Sequence, residues 1–297
     1  MSTPFFSVII PTYNRAEKLR RALDALRLQT CRDFEVIICD DGSTDTTDEV
    51  VAEYSKDLPV TYLWEANWGG PARPRNRGIA AARGLWVCFL DADDWWYSEK
   101  LAEILLKTGA ADLIYHDCDV YTKEGRSNVG KRSRQLQQPV FVDLMTRGCS
   151  IVTSSICAKR EILEKAGGFA EEQELVAIED YDLWLRIARI SERFIYVPRC
   201  LGAYWVDQAN ISECSEKYIA REAVVCHRYS GYLKSSDRDE AEKLLAYKTG
   251  VTKKYLGEFY ASRAFFRAAM RSRRPKIRLY ALIYYVLALL RSRYTIP

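Results

Sequence analysis

The stretch Phe89-Leu90-Asp91-Ala92-Asp93-Asp94 sets three carboxylates directly after an apolar run. Acids this close repel one another, and a hard divalent cation that prefers oxygen ligands, Mn2+ or Mg2+, relieves the repulsion. The three carboxylates together are the candidate metal site. The same residue types also make a solvated turn that caps a helix starting near Ser98, so the motif acquires meaning only from its surroundings. A second apolar run breaks at Asp40-Asp41-Gly42-Ser43-Thr44-Asp45. A third acidic group, Glu179-Asp180-Tyr181-Asp182, opens a segment in which Leu183, Ile187 and Ile190 recur at helical spacing. An acidic first turn of this kind favours a helix N-terminus through the macrodipole and needs no function for that. The loop from Asn67 to Arg77 carries Arg73, Arg75 and Arg77, and arginine suits bidentate contact with phosphate.

These groups are useful only if the chain delivers them to one place. Leu85 to Leu90 is uninterrupted by polar residues and reads as a strand covered on both faces. Ser7 to Pro11, Phe34 to Cys39 and Val60 to Trp64 read as three more strands, with helices expected from about Ala16 to Gln29, Thr46 to Tyr54 and Pro74 to Arg83. The alternation predicts a doubly wound, mostly parallel sheet. Two acidic breaks then emerge at the carboxyl edge, where ligands of open α/β sheets bind. Asp112 to Tyr115 and Ile151 to Ala158 read as further strands, and Gly125 to Gln138 as a mobile loop. His116-Asp117-Cys118-Asp119 reads as packing and hydrogen bonding rather than as a ligand set. The first strand lacks the GxGxxG of a dinucleotide fold, and no GxxxxGK[ST] phosphate loop exists, which demotes both of those classes.

With 297 residues, 48% of them hydrophobic, the chain suits one large domain, or one domain with a helical extension. A net charge of +4 on mostly dispersed basic residues does not point to nucleic acid. Nine cysteines without a CxxC pair suggest reduced thiols in a cytosolic setting, with Cys39 and Cys88 as small apolar fillers. No signal-peptide pattern opens the chain. The best apolar run, Leu279 to Leu290, is shorter than the roughly 20 residues that cross a bilayer. Arg271-Ser272-Arg273-Arg274-Pro275-Lys276 precedes it, Arg291-Ser292-Arg293 follows it, and Tyr284 and Tyr285 lie within it. This pattern fits a helix lying in an anionic membrane interface, or one docked on the domain.

Ser7-Val8-Ile9-Ile10-Pro11-Thr12-Tyr13-Asn14-Arg15, Asp40 to Asp45, Asn76-Arg77-Gly78-Ile79 and Phe89 to Asp94 resemble, in order and spacing over roughly residues 5 to 97, the motifs of family 2 inverting glycosyltransferases with the GT-A fold, of the type that builds bacterial cell-surface polysaccharides. Lys165-Ala166-Gly167-Gly168-Phe169 and Glu179 to Arg186 are similar to the family's acceptor-side segment. The resemblance implies a GT-A domain over 1–214 with a C-terminal helical extension over 215–297. It also implies transfer of a hexosyl or N-acetylhexosaminyl group from a nucleotide-diphosphate sugar, favouring UDP, to a hydroxyl of a saccharide or lipid-linked acceptor. Asp180 would be the base, and Asp93 with Asp91 would hold Mn2+ or Mg2+. Pro11, Thr12, Tyr13, Asn14, Arg15, Asp41, Arg75, Asp91, Ala92 and Asp93 would line the donor site, with Asp41 and Tyr13 at the nucleobase and Arg75 on base or diphosphate. Gly168, Phe169, Glu179 and Trp184 would face the acceptor. The location implied is cytoplasmic, peripheral at the inner face of the plasma membrane. Where family members often carry Tyr-Arg-x-His on a loop closing over the donor, this chain has Tyr204-Trp205-Val206-Asp207 and on to Ser212. A catalytically silent module that binds nucleotide sugars or glycans is the competing reading, and nucleotidyl transfer a further one.

Overall fold

Burial on both faces is what an unbroken apolar strand requires, and the first strand of the chain shows it. In the computed structural model, which describes residues 3–207 and 215–292, every residue of β1 (Phe6–Thr12) and β2 (Phe34–Asp40) is buried. β3 (Val60–Trp64), β2, β1 and β4 (Trp86–Phe89) are consecutive parallel neighbours. Between them run α1 (Ala16–Arg27), α2 (Thr47–Tyr54) and α3 (Ala72–Ala81). Leu19, Ala22, Leu23 and Leu26 of α1 form one buried stripe against the sheet's core.

After β4 come β5 (Trp95–Trp96), α4 (Lys100–Leu105), β6 (Leu113–Thr122), β7 (Gly125–Arg126), α5 (Val140–Arg147), β8 (Cys157–Lys159), α6 (Arg160–Lys165), α7 (Glu179–Ala188) and β9 (Phe194–Trp205). The sheet order is β3-β2-β1-β4-β8-β6-β9-β5, with β7 paired on β6. β8 is antiparallel to both β4 and β6, whereas β6 and β9 are parallel. The mostly parallel α/β architecture expected from the sequence is present. Two strands differ from expectation. β6 continues through His116-Asp117-Cys118-Asp119 to Thr122. The segment expected to be a strand from Ile151 is instead a 3-10 turn, Thr153–Ser155, before the short β8. The stretch expected to be a mobile loop opens with β7, which pairs back on β6, and Lys131 bridges to Cys118.

A correction concerns the cysteines. Cys88 and Cys157 stand opposite each other in the β4–β8 register and are bonded as a disulfide, so Cys88 is not merely a filler and the chain is not wholly reduced. Cys39 is buried and free, as expected.

The chain divides into two compact units, residues 1–137 with 150–210, and 138–149 with 211–297. The second holds α5 with α8 (Glu216–Ser230), α9 (Ser235–Tyr255), α10 (Phe259–Ala269) and α11 (Pro275–Ser292). Phe266, Ala269 and Ala281 form its small core, with Tyr247, Val251 and Tyr284 packed around them. Gly250 of α9 lets Phe266 approach closely, because a Cβ there would stand 2.8 Å from the ring. No described helix is long and apolar enough to cross a membrane.

Candidate active site

β1 and β2 end side by side, and their loops are stitched together. Pro11 and Thr12 are buried at the end of β1, Tyr13 is exposed, and Asn14 adopts a left-handed φ of 50°, a conformation asparagine tolerates. Asn14 donates its N–H to Ser43 Oγ (2.8 Å) and accepts the Thr44 N–H at Oδ1 (2.8 Å). Asp41 is buried, and its carboxylate accepts from Trp68 N (2.8 Å), Gly69 N (3.1 Å) and Asn67 Nδ2 (3.1 Å), which fixes the loop ahead of α3. Gly42, at φ 84°, is required because a Cβ would stand 2.7 Å from Asn67 N.

At the end of β4 the acidic motif is held from several sides. Asp91 donates its N–H to Ser154 Oγ (3.0 Å), its carbonyl accepts the Asp94 N–H (2.9 Å), and its carboxylate accepts from Arg75 (2.6 Å). Ala92 is buried. Asp93 pairs through its carboxylate with Arg15, and its carbonyl accepts from Arg21 (2.6 Å). Asp94 is buried and accepts the Trp205 N–H at 2.8 Å, and among the described residues its Oδ2 has no hydrogen-bond partner. Burial, and then the charge of Asp91, push its pKa up to about 7.

α7 brings up the third acidic group. Arg75, buried on α3, spans the two clusters, binding Asp91 with one terminal nitrogen and Glu179 (2.7 Å) with the other. Its guanidinium is therefore held by two carboxylates. Arg73 and Arg77, the other arginines of that loop, both pair with Glu65 (2.8 and 3.2 Å). Asp180 is half-buried and accepts from Thr153 Oγ1 (2.8 Å) and Tyr181 N (2.6 Å). Burial raises the pKa of both Asp180 and Glu179 above the ordinary carboxylate range, opposed for Asp180 by the Thr153 hydroxyl and for Glu179 by Arg75. Gly168 and Phe169 are clamped by Asn76, which accepts the Phe169 N–H (2.7 Å) and donates to its carbonyl (2.9 Å). Phe169, Phe89 and buried Trp184 form an aromatic cluster with centroids 5.1 to 6.4 Å apart.

Three positioning residues went unrecognised in the sequence. Thr153 and Ser154 sit in one 3-10 turn, the first on Asp180 and the second on Asp91, while the Ser154 carbonyl also accepts from buried Lys100 (2.9 Å) and Trp96 Nε1 (2.8 Å). Nothing in their residue types distinguishes them from an ordinary polar turn. Asn76 belonged to a motif, but its partners lie 93 residues away. His116 is buried and kept neutral by desolvation, with Nδ1 2.7 Å from the Asp117 carbonyl; Asp117 accepts from Ser133 N and Tyr196, and Asp119 from Tyr97.

The chain differs from the family pattern at Trp205 and Asp207, and these residues anchor their segment. Arg21 lies between the rings of Trp95 (4.0 Å) and Trp205 (4.5 Å). Asp207 accepts from Trp205 Nε1 (3.0 Å) and pairs with Lys18. The rest of that stretch, 208–212, lies outside the described residues, as does Arg293.

Among the described residues no cluster of three or more His, Cys, Asp or Glu is arranged to hold a metal alone. Mn2+ or Mg2+ does not need one, because one or two carboxylates suffice when substrate phosphates and water complete the shell. The hard oxygens of Asp91 and Asp93 fit that requirement.

Comparison with known proteins bears on the family and the fold. The family model described as Glycosyl transferase family 2 matches residues 7–166. The amylovoran biosynthesis glycosyltransferase AmsB of Erwinia amylovora is 31% identical over 67% of this chain and 69% of its own length. The poly(ribitol-phosphate) beta-N-acetylglucosaminyltransferase TarS of Staphylococcus aureus is 30% identical over 80% of this chain, but only 42% of TarS is covered. The crystal structure of TarS 1–349 in complex with UDP-GlcNAc aligns at a TM-score of 0.61 and 18% identity, covering 95% of this chain and 88% of that one. The mannosyltransferase PcManGT of Pyrobaculum calidifontis, in complex with GDP-Man and Mn2+, aligns at 0.61 and 22% identity, covering 99% and 84%. These structural likenesses place the fold among GT-A glycosyltransferases, and the family match covers more than half of the chain: the protein belongs to glycosyl transferase family 2.

Proposed function

We propose that this glycosyltransferase is an inverting, metal-dependent enzyme that moves a sugar from a UDP-sugar to a hydroxyl of a saccharide or lipid-linked saccharide, working at the cytoplasmic face of a membrane. The carrying observation is that one 3-10 turn and one buried arginine hold Asp91 and Asp180 in a single constellation: Ser154 and Arg75 fix Asp91, while Thr153 fixes Asp180 and Arg75 its neighbour Glu179. The names of AmsB and TarS, which speak of amylovoran biosynthesis and of N-acetylglucosaminyl transfer to poly(ribitol-phosphate), support the substrate class. In this reading 1–214 is the transfer domain and 215–297 its helical extension.

The roles follow from the chemistry. Asp93 and Asp91 would hold the cation, which when bound supplies positive charge to the departing nucleoside diphosphate. Tyr13 is exposed and free to stack on a base, while Asp41 shapes the loop beside it. Asp180 accepts the proton of the acceptor hydroxyl as that oxygen attacks the anomeric carbon from the face opposite the leaving group. Its raised pKa makes it a better base than an ordinary aspartate. Gly168, Phe169 and Trp184 would lie on the acceptor side, with Phe169 held by Asn76 and packed on Trp184.

Two measurements test this reading. In a thermal-shift screen of nucleotide sugars, a UDP-sugar with Mn2+ is expected to stabilise the protein, by about 2.7 kcal/mol at a hundredfold excess over Kd. Stabilisation by GDP- or dTDP-sugars alone would replace the donor. The pair Arg15–Asp93 also implies competition between the guanidinium and the cation for one carboxylate. Arg15→Met is therefore expected to tighten binding of Mn2+ alone by roughly fivefold, the worth of an ion pair near 1 kcal/mol. Electron paramagnetic resonance of free Mn2+ reads this directly, and an unchanged affinity would remove Arg15 from the metal's environment.

A further inference from the structure

α11 has two opposite apolar stripes. Ala281 and Ala288 are fully buried, and with Ile277 and Tyr284 they face the rest of the helical unit at spacings of three and four residues. On the other side Leu279, Leu282, Ile283, Val286, Leu287 and Leu290 repeat at i, i+3, i+4, i+7, i+8 and i+11, and each is 42 to 55% exposed. One inward stripe is enough to dock the helix, so the outward one has no role in folding the unit. Contiguous exposed aliphatic surface of this kind marks an interaction site.

Charge identifies the occupant. From Phe259 to Ser292 the sequence has eight Lys or Arg residues and no Asp or Glu. Arg273 and Arg274 are occupied by Asp237 and Glu240 of α9. Lys276 and Arg278 are exposed in the first turns of α11, Arg271 is exposed just before it, and Arg291 is exposed at its far end. A symmetric pair of α11 helices would bring only positive rims together, with no acid to offset them. An anionic lipid surface offers the complementary charge and an acyl boundary for the aliphatic stripe. At 18 residues the helix is about 27 Å long, and with cations at both ends it suits lying in the membrane plane. Tyr280, 48% exposed beside the stripe, is a residue type that sits at headgroup level.

We infer that α11 docks the protein flat on an anionic phospholipid bilayer, with Leu279, Leu282, Val286 and Leu290 entering the acyl boundary and Lys276, Arg278 and Arg291 among the headgroups. This docking stands on the helical unit alone, and it is tested without any transfer chemistry.

The full chain is mixed with vesicles of phosphatidylcholine alone and of phosphatidylcholine with 30% phosphatidylglycerol, and bound protein is measured by co-sedimentation at low and physiological salt. The expected result is strong binding to the anionic vesicles only, weakening as salt rises. Lys276→Gln/Arg278→Gln should weaken it by roughly 25-fold, at about fivefold per interfacial cation. Leu279→Ser/Val286→Ser, which changes no charge and touches no core residue, should weaken it at least about tenfold with an unaltered melting temperature. A tryptophan placed by Val286→Trp should show blue-shifted emission on adding anionic vesicles. Unchanged binding by the serine variant, an unshifted tryptophan, or a lipid-free dimer that the serine variant dissociates would each overturn the inference.

Discussion

Asp180→Asn is expected to lower the turnover of sugar transfer by about 10²- to 10⁴-fold, the contribution of a positioned general base, while UDP binding stays close to that of the wild type. The structure explains why the fold should survive. An asparagine Oδ1 still accepts the Tyr181 N–H, and the Thr153 hydroxyl can rotate to accept from the new amide. What is lost is only the capacity to take a proton. The wild-type pH profile carries the same signature. A base works deprotonated, so activity should fall as pH drops, and because burial raises the Asp180 pKa this loss should set in above the ordinary aspartate range. Steady-state kinetics with the preferred donor separate the possibilities. A rise in KM with unchanged kcat would assign Asp180 to binding alone.

Arg75→Met is expected to cost about 3 kcal/mol of stability, because it strands a carboxylate rather than because it removes a pair. Glu179 is nearly inaccessible, Arg75 pairs with its Oε1, and among the described residues its Oε2 has no hydrogen-bond partner. Asp91 is more exposed, so water can partly replace what it loses. The sign with pH follows from linkage. Without Arg75 the buried Glu179 stays protonated in the folded protein to higher pH than in the unfolded chain, so stability is greatest below the ordinary carboxylate pKa and falls as pH rises above it. Urea unfolding at pH 5 and pH 8 measures this, and Arg75→Met/Glu179→Gln should recover most of the loss at pH 8. Identical midpoints for wild type and Arg75→Met would show that the bridge contributes nothing.

The first half of the sheet was legible because apolar runs such as Val8-Ile9-Ile10 and Trp86 to Phe89 admit few other structures, and because each run stops at residues that cannot stay buried unpaired. The place of Asp91 and Asp93 at the carboxyl edge follows from the same breaks. The turn at Thr153–Ser155 was hidden by its apolar neighbours Ile151, Val152 and Ile156. There the hydroxyls decide, Ser155 Oγ donating to the Val152 carbonyl at 2.6 Å while Thr153 and Ser154 reach the acids. The Cys88–Cys157 bond depended on a register between strands 69 residues apart, which periodicity within either strand does not contain. Arg75 shows the same limit from the opposite side. A loop arginine near acids reads as a phosphate contact, and only the arrival of Glu179 from 104 residues downstream turns it into a buried bridge.

The central claim is that Asp93 serves a cation and Asp180 serves the acceptor proton in one transfer reaction. The most direct test is release of nucleoside diphosphate across a donor panel with a saccharide acceptor, by wild type, Asp93→Ala and Asp180→Asn, each in Mn2+ and in EDTA. UDP release is expected from the wild type in Mn2+ alone, with both variants near background. Equal release by all three proteins, or full wild-type release in EDTA, would contradict it.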